Sequence, residues 1–162
     1  MIKSGKFLFC FVLLLVAVLP CLADDGSKLP GTWKLVSSEA EIQATGQKEP
    51  AMGKNATGFV IFTPERVFFI LTGEGRQPAK DDHGRAALMN SLISYTGLYR
   101  LKGDSWTTRV DVAWDPEIVG TDQTRFFRID GDRLEVTTTW AVHPNWPEKG
   151  MLRGVLTFER AK

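Results

Sequence analysis

Between Ser105 and Trp114 the chain reads SWTTRVDVAW, and its side chains alternate in kind. Trp106, Thr108, Val110, Val112 and Trp114 fall on one parity; Thr107, Arg109, Asp111 and Ala113 fall on the other. Successive side chains of a strand point to opposite faces, so this run predicts a strand with one face in a core. A second run repeats the pattern, with Leu134, Val136, Thr138, Trp140 and Val142 opposite Glu135, Thr137, Thr139 and Ala141. One-sided alternation is the mark of antiparallel sheet, because a parallel sheet is covered on both faces and reads as continuous apolar runs.

The rest of the chain is punctuated to match. Residues 31–39, 58–62, 66–71, 94–101, 106–114, 124–129, 133–142 and 151–159 read as strands, separated by turn residues such as Thr63-Pro64-Glu65, Gly103-Asp104 and Gly131-Asp132. Several links are two residues long with a glycine, which suggests type I′ hairpins. Residues 40–56 read as a loop that contains the sequon Asn55-Ala56-Thr57. Only residues 81–92 change period: Ala86, Leu88, Met89 and Leu92 can share a helical face, with Asp81 or Asp82 as N-cap. Eight antiparallel strands with one short helix predict an all-β fold, either a closed barrel or a sandwich. Closure is favoured over an open sheet because it removes the unpaired edges.

The first 23 residues stand apart. Two lysines precede the apolar run FLFCFVLLLVAVLP, and Ala23 is followed by two aspartates. This layout predicts an export signal cleaved after Ala23, leaving residues 24–162 as one domain in the periplasm or outside the cell, with an uncleaved N-terminal anchor as the alternative. The run is short for a membrane span, so no stable membrane insertion is expected once the signal is removed. Lipidation at Cys21 is disfavoured by the preceding Pro20. Cys10 and Cys21 both lie in this segment, so the mature domain relies on its core and not on disulfides. Setting aside Lys3 and Lys6 leaves 18 basic against 19 acidic residues. That balance offers no basic surface for nucleic acid.

The run TRFFRID raises a sharper question, because Arg125 and Arg128 sit among Phe126, Phe127 and Ile129. Two readings of Arg125 stand. Its stem can lie over aromatic neighbours with the charge in water. Alternatively it faces a barrel cavity and holds the carboxylate or carbonyl of a ligand. On the second reading Arg125 or Arg109 is the polar handle, and Trp106, Trp114, Phe69, Phe127, Trp140 and Tyr99 are candidate walls. The expected partner is then a small, mostly apolar molecule. Asp111 and Glu135 read as solvated charges of the outer face.

The segments GTWKLVSSE, YTGLYRLKGDSWTTRVDVAWDPEIVGTDQTRFFRIDGDRLEVTT and LTFER together resemble the bacterial and fungal lipocalin-like domain family. The similarity spans roughly residues 31–160. Its most specific part is the order Trp114-Asp115-Pro116, Gly120, Arg125, Gly131-Asp132-Arg133-Leu134. The resemblance implies an eight-stranded antiparallel up-and-down barrel of the calycin type, with one short helix, in which Trp33 plugs one end and Arg160 packs across its ring. It also strengthens the cavity-facing reading of Arg125. The chain departs from similar proteins mid-strand, where Thr108 and Arg109 stand in place of a histidine. Histidine-based chemistry of relatives therefore does not carry over.

No cofactor or phosphate-binding motif is found, and no nucleophile elbow. His83 and His143 sit in loop contexts without the further ligands a metal site needs. A rival to simple binding is an isomerase or cyclase that uses the cavity, for which Asp111, Glu135 or Tyr99 would have to reach the substrate. A third possibility is a plugged structural module. The helix and the stiff loop HPNWP, with Trp146, are candidate lids or end caps.

Overall fold

The computed structural model describes residues 25–142 and 147–162. The expected export signal, both cysteines, His143 and Trp146 lie outside the described residues.

Ten strands form one antiparallel sheet. They are β1 (Gly31–Ile42), β2 (Lys48–Pro50), β3 (Thr57–Phe62), β4 (Arg66–Thr72), β5 (Leu92–Lys102), β6 (Ser105–Ala113), β7 (Asp122–Asp130), β8 (Arg133–Thr138), β9 (Ala141–Val142) and β10 (Met151–Arg160). Eight of them close the barrel in the order β1-β3-β4-β5-β6-β7-β8-β10, with β10 returning to β1 through Trp33↔Arg160 to Ile42↔Leu152. The expected eight-stranded barrel is therefore present. The short strands β2 and β9 are additions that pair only with the far ends of β1 and β10.

Both two-residue hairpins place glycine at the first central position, Gly103 at φ 59° and Gly131 at φ 56°. Asp104 and Asp132 do not have positive φ. That combination fits type II′ in place of the expected type I′, which needs positive φ at both central residues.

The alternation holds until a bulge breaks it. Trp106, Thr108 and Val110 are buried, but Val112 is 62% exposed. The register steps from Thr96↔Val112 to Gly97↔Val110, so Asp111 is the extra residue and the parity flips beyond it. Sequence alternation put Val112 inside; the bulge turns it outward and turns Ala113 onto the core. Gly97 is what lets β5 and β6 approach here, since a Cβ on it would lie 2.0 Å from the Arg109 carbonyl oxygen. A second bulge between Leu35 and Ser37 makes Val36 the extra residue, so that beyond it Ser38, and not Ser37, is the buried side chain.

One end of the barrel is packed solid. Trp106 meets Phe62 edge-on at 5.1 Å and Phe127 at 5.6 Å, and Phe69 meets Phe158 at 6.0 Å. Trp33 is fully buried beneath them and donates its indole N–H to the Leu29 carbonyl at 2.9 Å. The outside of β3 and β4 carries exposed Phe59, Ile61, Phe68 and Ile70 in cross-strand pairs.

The one α-helix among the described residues, α1 (Asp82–Asn90), begins as expected, with the Asp81 carboxylate accepting from the Gly84 amide at 2.7 Å. Its apolar side chains are not buried. Arg76 holds its end instead, donating to the carbonyls of Leu88 at 2.7 Å and Ser91 at 2.9 Å. No helix among the described residues is long and apolar enough to cross a membrane.

Candidate functional site

Opposite the packed end the barrel is hollow. A cavity of about 800 Å³ opens between the loops that join β2 to β3, β4 to α1 and β8 to β9. Phe69, Leu71, Ile93, Tyr95, Leu152 and Leu156 form its apolar wall. The volume lies within the range that holds a drug-sized ligand, roughly 300–1,000 Å³.

The mixed alternation of β7 resolves here. Arg125, Phe127 and Ile129 share the inner face, whereas Phe126 and Arg128 are exposed. Arg128 pairs with Glu135 across the outside at 3.0 Å. Arg125 donates to the Thr124 carbonyl at 2.8 Å and to the Gln123 side-chain oxygen at 3.3 Å. Of the two arginines along the cavity, Arg153 pairs with Glu41 at 2.9 Å. Arg125 has no carboxylate within ion-pair distance among the described residues.

Tyr95 is the side chain that sequence reasoning missed. Its ring stacks on Phe69 at 5.3 Å and lies 5.9 Å from the Arg125 guanidinium carbon. The residue is only 4% exposed, and its hydroxyl is buried without a hydrogen bond. Burial pushes the phenol above its ordinary pKa, and the neighbouring guanidinium offsets part of that rise. A buried polar group left unpaired costs about 1–3 kcal/mol, so its place beside a cation that has no carboxylate partner among the described residues is informative. A signal was available: Tyr95 shares a strand and a parity with Tyr99, which the sequence did single out.

The expected site residues separate by position. Phe69 and Arg125 line the cavity. Trp106 and Phe127 lie in the packed core, and Trp114 packs against it. Tyr99 meets Phe62 at 5.4 Å and donates its hydroxyl to the Thr63 carbonyl at 3.0 Å. Trp140 sits under Arg153, 4.6 Å from the guanidinium carbon. Arg109 points outward and pairs with Asp122 at 3.5 Å, because it has the opposite parity from the buried Thr108. Asp111 is also outside, paired with Arg66 at 2.8 Å.

The rim is clasped by Glu74. Its amide donates to the Met52 carbonyl at 2.9 Å, and its carboxylate accepts from the Lys54 amide at 2.9 Å and from the Asn55 side chain. The Asn55 bond is the main reason the Glu74 carboxyl sits below its ordinary pKa.

A sequence model of a family described as a lipocalin-like domain matches residues 30–161. A comparison with curated proteins finds no match.

Proposed function

The chain belongs to the lipocalin-like domain family, and from that membership we propose that it is an exported carrier of a small, mostly apolar molecule held in the barrel cavity. One observation carries the reading: the half-filled barrel leaves about 800 Å³ open to solvent at one end, walled by aliphatic and aromatic side chains. A plugged module would have filled that half as fully as Trp33, Trp106 and Phe158 fill the other. Arg125 supplies the polar contact, to an anionic or carbonyl group of the ligand. Export draws its support from the lysines, apolar run and Ala23 of the leader.

The isomerase or cyclase reading needed a titratable group among Asp111, Glu135 and Tyr99. Both carboxylates form ion pairs outside the barrel, and Tyr99 is bonded at the packed end. No observation favours that reading over binding.

Titration with N-phenyl-1-naphthylamine, a neutral apolar fluorophore, tests the proposal. Saturable enhancement of its emission at one probe per chain is expected. Emission that rises without saturation, or not at all, would contradict it.

A further inference from the structure

We propose that Arg125 and Tyr95 form a head-group site for the carboxylate of an amphipathic monocarboxylic acid, whose tail lies along Phe69, Leu71, Ile93, Leu152 and Leu156. This rests on the cavity-binding reading above and narrows it from any apolar molecule to one chemical class.

The argument is one of charge and donors. A guanidinium has five N–H donors. Arg125 directs two of its nitrogens to the Thr124 and Gln123 oxygens, which are neutral acceptors. Its charge is left uncompensated beside an apolar wall. A neutral carbonyl would occupy a donor and leave the charge as it is. A carboxylate supplies both the acceptor and the counter-charge, and its two oxygens match the guanidinium fork. The Tyr95 hydroxyl is buried and has no hydrogen bond among the described residues, and its ring lies 5.9 Å from the guanidinium carbon, so it serves as a second donor. It gains access when the guanidinium swings from the Thr124 carbonyl toward the ligand.

The rest of the lining restricts the anion to a single charge. Arg153, the other lining cation, is taken by Glu41. Glu39 and Glu74 stand along the mouth, and their negative charge disfavours a dianion such as a phosphate monoester. The apolar wall requires a tail, so a short hydrophilic acid lacks most of the contact area that burial would reward.

Displacement of N-phenyl-1-naphthylamine by dodecanoate, methyl dodecanoate and dodecanol tests this on the full domain. Dodecanoate is expected to displace the probe at least about tenfold more tightly than the ester or the alcohol, the range of a charge-assisted bond. Arg125→Met is expected to bring the acid-to-ester ratio close to one, and Tyr95→Phe to lower it about threefold to tenfold. Arg128→Met, which removes an outer arginine, is expected to preserve it. Circular dichroism reports whether each variant is folded, and if either is not, the wild-type ratio still decides. Equal displacement by acid, ester and alcohol would overturn the inference while leaving the cavity reading intact. So would a ratio that survives Arg125→Met or Tyr95→Phe. Failure of the probe itself to bind would remove both.

Discussion

The Arg160 guanidinium carbon lies 4.0 Å from the centre of the Trp33 ring, at the seam where the last strand of the barrel closes on the first. The same guanidinium donates to the Lys28 carbonyl at 2.7 Å and the Pro30 carbonyl at 3.2 Å. It therefore ties together the segment that crosses the packed end, the plug and the closing strand.

Arg160→Met keeps most of the stem and loses the charge and both carbonyl bonds. The expected loss is about 1–3 kcal/mol, since the side chain is partly solvated and its cation–π contact falls below the fully desolvated value. Urea denaturation of the variant checks this, and Arg160→Lys is expected to recover only part of the loss because it lacks the fork.

Gly97→Ala places a methyl group against backbone and not against a flexible side chain. The β5–β6 pair must then separate at the Asp111 bulge. A loss on the order of 2–4 kcal/mol is expected, read as a lowered thermal midpoint.

Arg76→Ala removes the donors that hold the end of α1 without exposing any core. Because no residue of α1 is buried, the effect is expected to be local. Amide exchange over residues 82–90 should accelerate while the global midpoint moves little.

Both tyrosines of the chain, Tyr95 and Tyr99, are held above the ordinary phenol value by burial. Absorbance at 295 nm should therefore show little ionisation at pH 10, where a free phenol is about half ionised. The sign of the linkage follows. The unfolded chain releases these protons first, so stability is unaffected below about pH 10 and falls as pH rises through the folded-state values. Normal titration of both groups in the folded protein would contradict the buried placement.

Much of this architecture was legible because barrel strands advertise themselves. The alternation of Trp106 to Val110 and of Leu134 to Thr137 matches burial residue by residue. Gly103 and Gly131 sit where the chain turns, and Asp81 caps the helix. Parity was lost where a bulge inserts one residue, since Asp111 looks in sequence like any outward acid. The direction of Arg125 was not legible either. Both faces of β7 mix arginine with aromatics, and only the pairing of β7 with β6 and β8 decides which arginine goes inside. Tyr95 escaped notice because an isolated aromatic in a strand reads as core. Its significance comes from Phe69 and Arg125, which lie on other strands.

Backbone amide and methyl NMR shifts on adding N-phenyl-1-naphthylamine test the central claim most directly. Saturable shifts concentrated on Phe69, Leu71, Tyr95, Arg125, Leu152 and Leu156, with Trp33 and Arg160 unmoved, are the predicted result. Shifts centred on the exposed Phe59, Ile61, Phe68 and Ile70, or none that saturate, would contradict it.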